Sequence, residues 1–148
     1  MVNESDSNGR WAYSEDSAKV VKKPWGKEVW INYRESENVG DEEKLYVMKK
    51  LYMEKGTKTS FQYHTQKVET NFILKGTIEA YFENDTGSIE KKVVGAGAIW
   101  TIPNGRKHRM NCLTDVVFME ASTPEVDDVI RVGDEYGRGD GRIQSEHE

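Results

Sequence analysis

Two short stretches of this 148-residue chain carry side chains that could hold a metal ion. In the first, Gln62 and His64 stand two apart, Glu69 follows after a short polar stretch, and Gly56 and Gly76 bracket the run. Residues two apart on a strand project to one face, so Gln62 and His64 point the same way, and a turn can bring Glu69 back beside them. In the second, Gly97, Pro103 and Gly105 precede His108, and Asn111 lies just beyond. A Pro-x-Gly turn would deliver His108 onto a new strand. Two imidazoles, a carboxylate and an amide oxygen form a donor set suited to zinc, manganese or iron, with positions left for water or substrate. Glu69 on an inward face also wants a cation nearby, because an unpaired buried carboxylate is costly.

Other residues are less specific. Lys49 lies on an otherwise apolar strand face with Leu45, Val47, Leu51 and Met53, so it either snorkels at the edge of a core or serves the site. Lys58, Arg106, Lys107 and Arg109 flank the two histidine segments. They read either as a solvated rim or as a clamp for a phosphate or carboxylate. Cys112, in RMNCLTDVVFM, reads as a small core residue, and Trp100 and Phe72 as packing residues. His147 is near the C-terminus and receives no role.

The elements that must position these groups are strands. SFQYH (60–64), TNFILKG (70–76), TIEAYFE (77–83), IEKKVV (89–94), AIWTIP (98–103), HRMNCL (108–113) and VVFMEAS (116–122) follow at short intervals, separated by turn residues. KPWGKEVWINY begins with a turn at Pro24–Gly26 and continues as a strand, and 34–43 reads as a polar loop. Many short strands with no sustained helical period predict an all-β sandwich or barrel. Only residues 124–138 fit a helical turn and an edge strand equally well. Residues 1–18 read as a flexible acidic segment anchored at most by Trp11 and Tyr13, 19–138 as one domain, and 139–148 as a flexible tail.

Charge agrees with that division. The net charge is −5, yet residues 1–18 and 134–148 each carry −3, which leaves the body at +1. A near-neutral body without a dense basic stripe argues against a nucleic-acid binder, while a compact anionic ligand needs only two or three cations in one place. No apolar run approaches the roughly 18–20 residues of a membrane span, and the N-terminus has no secretory signal pattern. With one cysteine, the expectation is a reduced, cytoplasmic protein.

The two histidine segments resemble the paired sequence motifs of the cupin superfamily, with Gln62 at the place of the first histidine and Asn111 one position early. Glutamine at that place resembles the cupin domain of type II phosphomannose isomerases. KPWGKE (23–28) and DDVIRVGDEYGR (127–138) are similar to the opening and closing segments of that subgroup. The resemblance spans about residues 20–138 and implies a double-stranded β-helix, or jelly-roll barrel, with Gln62, His64, Glu69 and His108 as metal ligands. It tilts the metal toward zinc. A lysine also occurs in the subgroup at the place of Lys49. Lys67 stands where the subgroup has an arginine, so a planar bidentate fork is replaced by a point charge. The stretch TQKV replaces a histidine-rich one, and nothing here supplies the nucleotidyltransferase domain of the bifunctional members.

The resemblance implies a metal-dependent isomerase or epimerase acting on a sugar phosphate or related carbohydrate. Lys49 and Glu69 are then candidates for proton transfer, with Lys58, Lys67, Arg106 and Lys107 as candidates for substrate binding. An Fe(II) dioxygenase and a non-catalytic carbohydrate- or metal-binding module are the alternatives. Small cupins commonly pair, so a homodimer is expected, with residues 24–33 as the proposed edge.

Overall fold

The structure is a computed structural model that describes residues 14–32, 46–125 and 127–147. Trp11, Tyr13, the loop 34–43 and Leu45 lie outside the described residues. Eleven strands are present among them: β1 (Lys19–Lys23), β2 (Gly26–Trp30), β3 (Val47–Met53), β4 (Phe61–His64), β5 (Glu69–Lys75), β6 (Ile78–Glu83), β7 (Ile89–Val94), β8 (Ile99–Ile102), β9 (His108–Cys112), β10 (Val116–Ser122) and β11 (Val129–Gly133). Apart from these, the described residues include two short 3-10 turns, at Glu15–Ser17 and Gln144–His147. The fold is all-β. No helix among the described residues is long and apolar enough to cross a membrane.

The strands form two antiparallel sheets, in the orders β1-β2-β3-β10-β5-β8 and β11-β4-β9-β6-β7. After the β1-β2-β3 meander the chain crosses from one sheet to the other at every step from β3 to β11 except the β6–β7 hairpin, which is the jelly-roll arrangement. The ambiguous C-terminal stretch becomes β11 because it finds an antiparallel partner in β4, where Val129 faces His64 and Arg131 faces Gln62. Within the segment 24–33, the strand Gly26–Trp30 is not an exposed edge. The Pro24–Gly26 turn folds residues 19–23 back as β1, so β2 is paired on both sides, by β1 and by β3. Gly26 is required there: its φ is +150°, and an added Cβ would stand 1.9 Å from the Tyr52 carbonyl oxygen.

Period-two patterning decides what each strand buries. In β3 the inward residues are Val47, Lys49, Leu51 and Met53, and in β10 they are Val116, Phe118, Glu120 and Ser122. Trp25, Leu51, Met53, Ile73, Ile78, Ala80, Cys112, Val116 and Phe118 make one apolar core between the sheets. One register step along the strands the character changes. Trp30, Lys49, Glu120, Asn71 and Trp100 pair in turn across the sheet, next to the apolar row that contains Leu51, Phe118 and Ile73. Half of the interior is a packed core and the other half is a polar chamber.

Candidate metal centre

His64 is the last residue of β4, His108 the first of β9 and Glu69 the first of β5. The two histidines come from one sheet and the glutamate from the other, so the three converge across the polar half of the barrel. All three are buried. One Glu69 oxygen, Oε1, lies 3.5 Å from His64 Nε2 and 3.5 Å from His108 Nε2. One ligand atom from each residue falls within 4.8 Å of the others. The imidazole rings are stacked with centroids 5.6 Å apart.

Both rings are held by their outer nitrogens. His108 Nδ1 lies 2.9 Å from the Arg106 carbonyl oxygen, which can only accept, so Nδ1 carries the proton and Nε2 presents its lone pair inward. His64 Nδ1 lies 2.9 Å from Asp128 Oδ1. The other Asp128 oxygen accepts the backbone N–H groups of Gln66 and Lys67, each at 2.8 Å. Burial works to raise the Asp128 pKa, but these N–H groups and His64 outweigh it and hold the carboxyl ionised. Carboxylate–histidine pairs of this kind fix ring orientation in metal sites. Burial, followed by the Lys67 charge, lowers the His64 pKa to about 4, so the ring is neutral at ordinary pH. His64 Nε2 is buried and has no hydrogen-bond partner. A buried orphan nitrogen aimed at a carboxylate and a second imidazole fits a divalent cation. His64, Glu69 and His108 could hold one.

The surroundings are unusually charged for a barrel interior. Lys67 is buried, with Nζ 3.1 Å from Glu120 Oε2 and 3.9 Å from Glu69 Oε1. Burial acts to raise Glu69, yet Lys67 and then His108 outweigh it and keep its carboxyl well below the usual range. Glu120, raised first by burial and then by the neighbouring Glu69 charge, reaches about 7. Lys49 pairs with Glu28 at 3.2 Å and lies 4.6 Å from the centroid of the Trp30 ring. Trp30 Nε1 donates to Glu28 at 2.9 Å.

The expected site residues therefore separate. Gln62 faces the chamber opposite His108, but its Oε1 accepts from the Ser60 hydroxyl. Lys49, Lys67 and Arg106 line the cavity, whose volume is about 580 Å³. Arg106 is engaged by Asp85 and by the Glu83 carbonyl. Lys58 and Lys107 are not among the lining residues, and the Lys58 ammonium pairs with Glu135. Sequence reasoning missed Glu28, Asn71, Glu120 and Asp128. Of these only Glu120 left a signal, an acid on the inward period of an otherwise apolar strand. His147, given no role, lines the cavity beside Trp30 with ring centroids 5.7 Å apart.

The fold and site together define a class: small two-sheet antiparallel β-barrels with a His–Glu–His cluster inside that could hold a divalent metal. Residues 50–121 match the family model described as cupin domain. Comparison with functionally curated sequences returned no significant match. Among solved structures, the oxalate decarboxylase of Bacillus subtilis at pH 4.6 superposes with a TM-score of 0.66 and 12% identity, over 81% of this chain and 31% of that one. Another oxalate decarboxylase structure, described for its substrate binding mode and reaction specificity switch, gives 0.62 and 14%, over 75% and 28%. The chain spans about three-tenths of the length of these proteins, and at such identities the likeness is one of fold.

Proposed function

We propose that the chain is a divalent-metal-dependent isomerase or epimerase acting on a small carbonyl carbohydrate of the sugar phosphate class. The observation that carries this reading is the orphaned His64 Nε2, facing Glu69 and His108 inside a chamber that already holds further proton-bearing groups. When bound, a divalent ion such as zinc, manganese or iron polarises a carbonyl and stabilises the negative charge that develops on its oxygen. Aldose–ketose interconversion removes a proton from the carbon next to that carbonyl. Glu69 lies between the two imidazoles and takes the ligand role rather than the proton-transfer role. Lys49, held by Glu28 and Trp30, presents ammonium protons to a substrate oxygen. Glu120, the cross-strand partner of Lys49, adds a carboxyl group on the same wall for the carbon-bound proton. The enclosing strands exclude bulk water, which strengthens each of these interactions.

The test is to load the protein with zinc, manganese or iron and incubate it with mannose 6-phosphate and other sugar phosphates in deuterated water. Interconversion or deuterium at the carbon next to the carbonyl is expected. Neither on any substrate would refute the proposal. The same reading takes the protein to be a cytoplasmic homodimer, which light scattering and fractionation check.

A second reading is favoured by the engagement of Gln62 with Ser60, which leaves two histidines and one carboxylate as the donor set. That set also suits Fe(II) oxygen chemistry. Oxygen uptake by the Fe(II)-loaded protein with aromatic or thiol substrates, without sugar phosphate turnover, would select it.

A further inference from the structure

Lys23 at the end of β1, Arg131 in β11, and Arg138 and Arg142 beyond it also line the cavity. Arg131 pairs with Gln62, and Gln62 pairs with His108. Antiparallel partners face one side, so these three stand in a row, with Arg131 two strand spacings, about 10 Å of backbone, from His108. Arg138 is forked by Asp134, with Nη2–Oδ1 at 3.0 Å and Nε–Oδ2 at 3.1 Å. Arg142 donates to Asp127 at 2.8 Å. Arg131 gives Nη1 to the carbonyl oxygens of Gly139 and Gly141, and its Nε is buried without a hydrogen-bond partner.

Into this group the C-terminal 3-10 turn inserts one carboxylate. Glu146 Oε1 lies 2.7 Å from Lys23 Nζ, and Oε2 lies 3.3 Å from Arg138 Nη1. Its side chain is only 10% exposed. The electropositive setting shows in its neighbours. Burial and then Arg142, Lys23 and Lys19 depress the pKa of His147, and burial followed by Arg138 depresses that of Arg131. A carboxylate recruited from near the chain end, clasped by cations that line a cavity, sits where the anionic group of a ligand would.

We propose that Lys23, Arg131 and Arg138 form a binding site for a terminal oxyanion, of the phosphate monoester class, and that Glu146 is its internal substitute, displaced when ligand enters. The inference deepens the sugar phosphate reading and rests on it for the chemistry at the other end of the ligand, though not for the anion site itself. The separation along the Arg131–Gln62–His108 row suits a ligand of several carbons, with its carbonyl at the histidines and its phosphate at the arginines.

The test is calorimetric titration of the metal-free protein with inorganic phosphate and, separately, with succinate. Glu146→Gln removes the competing charge and is expected to tighten phosphate binding roughly tenfold. Arg131→Gln is expected to weaken it by at least about as much, with Arg131→Lys recovering part of the loss. Phosphate binding should also change the fluorescence of wild-type Trp30, because the departing turn carries His147 off its ring; this readout stands even if a variant fails to fold. Indifference of phosphate affinity to Glu146→Gln, or no phosphate binding to either protein, would overturn the proposal. Tighter binding of succinate than phosphate would overturn the phosphate class. Phosphate binding that depends on Glu146 without sugar phosphate turnover rejects the isomerase reading alone; turnover with Glu146-independent phosphate binding rejects this inference alone.

Discussion

Lys49→Met should destabilise the protein by about 3–4 kcal/mol at neutral pH, and the reason lies in one carboxylate. Glu28 is buried, with its Oε1 3.2 Å from Lys49 Nζ and 2.9 Å from Trp30 Nε1. Burial alone would raise its pKa. The Lys49 ammonium, then Lys23 and the Trp30 N–H, reverse that and bring it from 4.5 down to about 2. At about 1.4 kcal/mol per pKa unit, the shift corresponds to about 3 kcal/mol of stability. Removing Lys49 leaves a buried charge with one hydrogen bond and a more distant cation. Glu28→Gln preserves an acceptor for Trp30 and leaves Lys49 against the Trp30 ring, so it should cost about 1–3 kcal/mol. The double variant should be more stable than additivity predicts by about 3 kcal/mol. The sign with pH follows from the depressed native pKa. The Glu28 contribution is fully present above its unfolded value and is lost as pH falls toward about 2, so wild type and Glu28→Gln should converge in stability between about pH 5 and pH 2. Urea denaturation followed by tryptophan fluorescence reads all four proteins. A coupling energy below about 0.5 kcal/mol, or a gap that does not change with pH, would refute the reasoning.

Other consequences follow from single contacts. Asp128→Asn should reduce zinc affinity about 10- to 100-fold in a chelator competition while leaving the stoichiometry at one, because it disturbs the orientation of His64 without removing a ligand. Phe118→Ala, at a site 1% exposed in the core, should cost about 3–5 kcal/mol in urea denaturation. Gly26→Ala should cost more than about 3 kcal/mol, or prevent folding, since its Cβ would overlap the Tyr52 carbonyl. Cys112, whose thiol burial pushes up to about 11, should resist thiol reagents in the native protein and react at once after unfolding.

Much of the architecture was legible locally. The period-two face of β3, with Lys49 included, is buried as the alternation implies, and the spacing of Gln62, His64, Glu69 and His108 brings all four to one chamber. Spacing works here because strand alternation is a local property. The partners of these residues were not legible. Asp128 reaches His64 across 64 positions and Glu120 reaches Lys67 across 53, and no short-range pattern encodes a ladder between distant strands. For the same reason residues 24–33 read as an edge while β1 and β3 enclose Gly26–Trp30 within them, and Glu146 and His147 read as tail although they reach Lys23, Arg138 and Trp30.

The sequence by itself determined the strand class of the fold, the inward faces and the two histidine segments, because each depends on neighbours within a few residues. The tertiary structure decided which charges share the interior. Two sheets closing on each other place Glu28, Lys49, Lys67, Glu69 and Glu120 in one low-dielectric space. There a charge is stable only beside its opposite, and the register between strands selects the pairs.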